Sequence, residues 1–225
     1  MKKAEILKLL RESGDYLSGQ ELCSRFGVSR TAVWKIINQL KDEGYEIEAV
    51  QNKGYRLQSS PDLLEEGEIA SRLGTGRMGN NLICLPSTGS TNVDAKKAAE
   101  EGAAEGTLVV TDCQEAGRGR RGRAWSSPAG CNIYFTLLLR PPCRPEQACM
   151  LTLVMALAVA KAVRELGLDA GIKWPNDIVL SGKKVCGILT EMSAETDYIH
   201  YVVIGTGINV NQEEFPEEIG KTATS

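Results

Sequence analysis

Glu115-Ala-Gly-Arg-Gly-Arg-Arg-Gly-Arg-Ala-Trp125 sets four arginines among three glycines. Apolar, strand-like runs lie on both sides: Thr107-Leu-Val-Val-Thr-Asp112 and Asn132-Ile-Tyr-Phe-Thr-Leu-Leu-Leu139. A basic glycine loop held between two strands suits a segment that stays mobile until it closes over an anion. Glycine permits positive φ and close backbone approach. Arginine offers a planar fork of donors to phosphate or carboxylate. Read alone, the stretch fits equally well a solvated basic loop or an RNA-binding Arg-Gly tract.

Working outward decides between them. Upstream, residues 62–73 read as a helix and 78–85 as a strand. Pro86-Ser-Thr-Gly-Ser-Thr-Asn92 then leads into a helix over 93–102. Hydroxyls and an amide at a strand-to-helix turn cap a helix or bind a neutral polar ligand. Downstream, residues 146–166 read as a buried apolar helix. Gly171-Ile-Lys-Trp-Pro-Asn-Asp-Ile-Val-Leu180 follows, where Pro175 breaks the ladder and exposes Lys173, Asn176 and Asp177. A Ser181-Gly182 turn joins it to Lys183-Lys-Val-Cys-Gly-Ile-Leu-Thr-Glu191. A strand over 198–204 ends in Gly205-Thr-Gly-Ile-Asn-Val-Asn211. The expected large domain, 61–225, is α/β with a mixed sheet and flanking helices. No Walker-type loop is present, so nucleotide binding requires another solution.

Residues 1–60 read differently. Apolar spacing predicts helices over 3–11, 19–26 and 30–43, with Ser18 and Ser29 as N-caps and Gly27 as the turn. A hairpin over 45–57 follows, with Gln51-Asn-Lys-Gly54 at its tip. This looks like a winged helix-turn-helix. Ser29, Arg30, Thr31, Trp34 and Lys35 of the second turn-forming helix, with Lys53 and Arg56 of the wing, are the DNA-binding candidates. The alternative is a small helical bundle that binds protein.

Bulk numbers agree with two globular domains. The 225 residues carry a net charge of -3 and are 42% hydrophobic, which excludes a nucleic-acid polyelectrolyte. Seven dispersed cysteines without a Cys-x-x-Cys pair point to reduced thiols and a cytoplasmic setting. The single histidine, His200, reads as a strand residue, and no dedicated metal site is expected. The N-terminus has no apolar signal core. The most apolar run, 148–160, falls short of the roughly twenty residues that span a bilayer, so no membrane association is expected.

Taken together, Ser90-Thr91-Asn92, Gln114 to Arg123, Lys173-Trp-Pro-Asn-Asp177, Lys184-Val-Cys-Gly-Ile-Leu189 and Gly205 to Asn211 resemble the biotin–protein ligases. The winged helix in front makes the chain similar to the bifunctional ligase–repressor form. The resemblance implies a fold class of α+β: a winged helix-turn-helix followed by a catalytic domain like that of class II aminoacyl-tRNA synthetases. Biotin and ATP are then substrates, with Mg²⁺ accompanying ATP. Biotin's carboxylate attacks the α-phosphate, and an acceptor lysine attacks the resulting biotinyl-5′-AMP. The acceptor is the biotin carboxyl carrier protein of a carboxylase. Adenylate binding promotes a homodimer that represses biotin genes at operator DNA.

By the same resemblance, Lys184, Arg118, Arg120 and Asp177 are the catalytic candidates. Ser90, Thr91, Asn92, Gln114, Arg118, Gly119, Arg120, Lys184 and Gly187 are candidates for holding biotin. Arg121, Trp125, Asn176 and Asn209 are candidates for the nucleotide. Family members continue further, through a C-terminal β-barrel domain, so the chain is expected to be a fragment or a shortened form. Two rivals remain: a ligand-sensing regulator without ligase activity, and a lipoate-type ligase.

Overall fold

The structure, a computed structural model, describes residues 2–74 and 76–225. The chain divides into two compact units, Met1–Gly74 and Thr75–Ser225.

The N-terminal unit holds α1 (Lys2–Ser13), α2 (Gly19–Phe26), α3 (Arg30–Asp42), the antiparallel pair β1 (Glu46–Val50) and β2 (Gly54–Ser59), and α4 (Glu66–Arg72). The caps expected from the sequence are in place. Ser18 Oγ accepts from Glu21 N–H and Ser29 Oγ from Ala32 N–H, while Gly27 turns between α2 and α3 at φ 60°. Ile6, Leu7, Leu10, Leu22, Ile37 and Leu40 form the center of the core. The wing is stitched to the chain before α2: Leu17 and Tyr55 exchange both backbone hydrogen bonds at 2.9 Å. A Cβ on Gly54 would lie 2.0 Å from the Leu17 carbonyl oxygen, so only glycine fits there.

The sequence reading places α4 after a boundary at residue 60; the compact unit instead runs to Gly74. The reason is Glu68, only 5% exposed, which anchors α4 to the N-terminal helices. It accepts from Arg11 at 2.9 Å, Arg72 at 2.7 Å and the Tyr45 hydroxyl at 2.8 Å. Burial opposes ionisation of Glu68, but the bonds from Tyr45, Arg11 and Arg72 outweigh it and hold the carboxyl below its ordinary 4.5. The stabilisation is therefore present above pH 4.5 and lost as pH falls through the lowered folded value. Glu68→Gln should cost about 2 kcal/mol at neutral pH. Denaturant titration of the full chain should also show a shallower acid slope for the variant; equal slopes would contradict this assignment.

The C-terminal unit is one seven-stranded mixed sheet in the order β3-β4-β5-β9-β8-β7-β6. These strands are β3 (Leu82–Leu85), β4 (Leu108–Thr111), β5 (Asn132–Leu139), β6 (Ala170–Lys173), β7 (Asp177–Leu180), β8 (Lys183–Ala194) and β9 (Ile199–Asn209). Only β3 and β4 run parallel; all other neighbours are antiparallel.

Side-chain alternation gives the sheet two different faces. Tyr201, Val203 and Leu138 pack with Ala95 and Ala99 of α5 (Thr91–Glu100). Val202, Ile204, Cys186 and Ile188 pack with Ala156, Val159 and Ala160 of α6 (Cys149–Glu165) on the opposite face. Burial pushes the Cys186 thiol up to about 12, which makes it a neutral core group.

Two expectations change here. Helix α6 is not buried all round: Met150, Val154 and Leu157 are exposed, because a helix lying on one side of a sheet keeps an outer face. With its preceding turn, Pro145–Glu165 has 21 residues and is apolar enough to cross a bilayer by length and composition. In the fold its small residues cover the sheet. Strand β9 also runs on to Asn209, so the Gly205-Thr-Gly segment is strand rather than a loop after it.

Candidate active site

A cleft opens on the α5 face of the sheet. Its floor, at Gly187 and Gly207, is the middle of a row of directly opposed residues that crosses five strands. Tyr134 faces Gly207, Gly207 faces Gly187, Gly187 faces Asp177, and Asp177 faces Lys173. Opposed residues share a face, so the glycines clear the middle of the floor. Trp125 fills that space. A Cβ on Gly207 would lie 2.4 Å from its Nε1, and one on Gly187 would lie 2.7 Å from its ring. The Trp125 Nε1 is buried without a hydrogen-bond partner among the described residues.

The walls come from three places. Ser90, Thr91 and Asn92 at the start of α5 form one; Gln114, Arg118, Gly119 and Arg120 form the second; Asn176, Lys184 and Leu189 complete the cleft. Every residue expected to hold biotin thus lines one cleft, as do Trp125 and Asn176. Lys184 Nζ lies 2.7 Å from Asp177 Oδ1 and 5.1 Å from the center of the Trp125 ring. Asp177 thus directs the lysine amine without itself lining the cleft.

Ser90 occupies the N-cap of α5 but its side chain makes no capping bond. Gln114 takes that role: its Oε1 accepts from Thr91 N–H at 3.0 Å, and its Nε2 donates to Ser127 Oγ. This leaves the Ser90 hydroxyl facing the cleft. Asn92 is different. Its Nδ2 donates to Glu191 Oε2 and Leu189 O, and its Oδ1 accepts from Thr136. Both amide hydrogens are spent on protein, so Asn92 shapes the wall rather than offering donors. Gly205 makes room for it, since a Cβ there would lie 2.0 Å from Asn92 Oδ1.

Burial opposes the charge on Glu191, but bonds from Asn92 and Lys96, with the positive charges of Lys96 and Arg118, hold its carboxyl below the usual range. Glu191 and Thr136 escape sequence reasoning. Their only signal is a polar residue interrupting an apolar alternation.

The arginine loop is internally bonded. Trp125 N–H donates to Gly117 O at 2.9 Å, Gly119 N–H donates to Arg123 O at 2.7 Å, and Arg120 Nη1 donates to Asn176 Oδ1 at 2.9 Å. The structure does not bring Arg121 or Asn209 into the cleft. Arg121 is exposed at φ 57°, and Asn209 spends its Nδ2 on Thr224 O at 2.9 Å.

In the N-terminal unit, Arg30, Thr31, Trp34, Lys35 and Lys53 are exposed, Trp34 by 56%. Arg56 is half-buried, bonded to Glu48 at 3.1 Å and stacked on Tyr16; the Ser29 hydroxyl is occupied as a cap. Five of the seven candidates are therefore exposed, although Arg30 donates to Gln20 at 3.1 Å and Lys53 lies 5.5 Å from the center of the Tyr16 ring.

Comparison with known proteins agrees with this geometry. The biotin/lipoate A/B protein ligase family model matches residues 83–209, and an HTH domain model matches residues 2–56. The chain is 47% identical to the bifunctional ligase/repressor BirA of Bacillus subtilis, over 99% of this chain and 70% of that protein. It is 36% identical to the Escherichia coli bifunctional ligase/repressor BirA, over 93% of this chain and 64% of that protein. Among solved structures it is similar to the biotin protein ligase from Aquifex aeolicus in complex with biotin and ATP. There the TM-score is 0.56 and the identity 41%, covering 64% of this chain and 59% of that one. The cleft, its arginine loop and the helix-turn-helix ahead of them lie within these matches: the chain belongs to the biotin/lipoate A/B protein ligase family, in the form that carries an N-terminal HTH domain.

Proposed function

We propose that the chain joins biotin to AMP at this cleft, passes the biotinyl group to a lysine of a carboxylase carrier protein, and represses biotin genes through its winged helix. The observation that carries the reading is the meeting of Lys184, Arg118 and Arg120 with a glycine-cleared floor in one cleft. Adenylation brings two anions together. A biotin carboxylate oxygen bonds to the α-phosphorus, the bond to the β-phosphate oxygen breaks, and pyrophosphate leaves. Cations fixed at the reacting centre offset the charge that builds up there. Arg118 and Arg120 are delivered by the loop, and Lys184 is aimed by Asp177. Ser90 and Gln114 offer a hydroxyl and an amide to the neutral ureido ring, Thr91, whose hydroxyl donates to Gln114 Oε1 at 3.2 Å, fixes that amide, and Leu189 borders the apolar part.

Magnesium would accompany ATP, held mainly by phosphate oxygens rather than by protein ligands. Asp177 adjoins the cleft through Lys184, as Glu191 does through Asn92. In the transfer step an acceptor amine attacks the acyl carbon, AMP departs, and the amine loses a proton. Adenylate bound beneath the arginine loop favours a dimer, which presents two winged helices to operator DNA in the cytoplasm.

The substrate class is tested by calorimetry. Biotin should bind and an equal concentration of lipoate should fail to displace it; displacement by lipoate would favour the lipoate-type reading.

A further inference from the structure

The floor row does not end inside the cleft. It runs from Gly187 through Asp177 to Lys173 on β6, the last strand of the sheet. Beside that end stands Trp174, 77% exposed, in the turn between β6 and β7. Two residues further on, Asn176 lines the cleft and receives Arg120. The indole therefore sits at the rim, not in the cleft and not in the core. Ile172, 40% exposed, precedes it on the same edge strand.

The geometry points to this rim, Trp174 with the outer edge of β6, as the docking surface for the protein whose lysine is modified. The inference rests on the ligase reading above. The transfer step requires a lysine amine to come within about 3.5 Å of the activated carboxyl near Lys184. The domain that bears the lysine must then cover a rim of the cleft. The start of α5 closes one side and the arginine loop another. The β6 side is where the floor meets an unpaired sheet edge and an exposed aromatic.

A tryptophan buried at the center of a contact is a typical anchor, and an open strand edge can accept a further strand. Lys173 at this rim, and Arg121 and Arg123 flanking the Arg120 that reaches Asn176, are exposed and form no ion pair among the described residues. The partner chemistry this fits is a domain with an acidic surface around its reactive lysine and an apolar side chain to cover the indole.

The test compares wild type, Trp174→Ala and Trp174→Phe as full chains, using a purified biotin-accepting carrier domain. Three rates are read: biotin-dependent ATP–pyrophosphate exchange, release of biotinyl hydroxamate by hydroxylamine, and transfer to the carrier domain. Trp174→Ala should leave exchange and hydroxamate release within twofold of wild type. It should raise the KM for the carrier domain about tenfold, with kcat little changed and partial recovery in Trp174→Phe. An unchanged KM would overturn the proposal, and so would an equal loss in all three rates, which would place Trp174 in the adenylation site. A changed monomer–dimer equilibrium with an unchanged KM would make the rim a contact between copies of this chain, and overturn it too. No exchange in the wild-type chain would instead remove the ligase reading beneath it.

Discussion

Lys184→Ala should slow adenylate formation about 10²–10³-fold, or roughly 3–4 kcal/mol in the barrier. The lysine lies 2.7 Å from Asp177 and borders the space over Gly187, where the proposed reaction would build up charge. Its removal deletes one preorganised cation. It also leaves the Asp177 carboxylate, 23% exposed, without its counter-charge. Biotin affinity should change much less, because the hydroxyl and amide wall at Ser90, Thr91 and Gln114 is untouched. Single-turnover formation of biotinyl-5′-AMP reads the first effect and calorimetry the second. A rate within twofold of wild type would remove Lys184 from the chemistry.

Gly207→Val should weaken biotin binding about 10- to 100-fold, the 1–3 kcal/mol typical of overfilling a packed site. Gly207 is ordinary strand backbone, so the substitution introduces no φ strain. What it introduces is volume: the first added carbon meets Trp125 Nε1 at 2.4 Å. Whether the indole or the ligand occupies the floor, the valine methyls take the same space. Gly207→Ala should show a smaller loss in the same direction. Calorimetry of the three proteins, with melting curves to confirm folding, measures this. Equal affinities for wild type and Gly207→Val would place the ligand elsewhere.

Local rules made much of this molecule legible before the fold was known. Caps at Ser18 and Ser29, the turn at Gly27 and the hairpin around Gly54 follow from short-range chemistry, and all appear where expected. What resisted depends on strand order. Gly205 and Gly207 look like the end of a strand because glycine weakens one. They persist within β9 because Asn92 and Trp125 occupy the space their side chains would take. Asn92 and Asn209 look like ligand donors, since nothing local shows that Glu191, Leu189 and Thr224 claim their amide hydrogens. Residues 146–166 look like buried helix because composition does not tell two-sided cover from one-sided cover. The boundary near residue 60 left the 62–73 helix with the large domain because Glu68 finds its partners at Arg11 and Tyr45, far away in sequence.

On the proposed reading, the arginine loop, Lys184 and the glycine-cleared floor of this 225-residue chain form a working adenylation site. Biotin-dependent exchange of labelled pyrophosphate into ATP tests it most directly, because exchange requires formation and reversal of the adenylate and needs no acceptor. Exchange should depend on biotin and collapse in Lys184→Ala. Biotin binding without any exchange in the wild-type chain would contradict it.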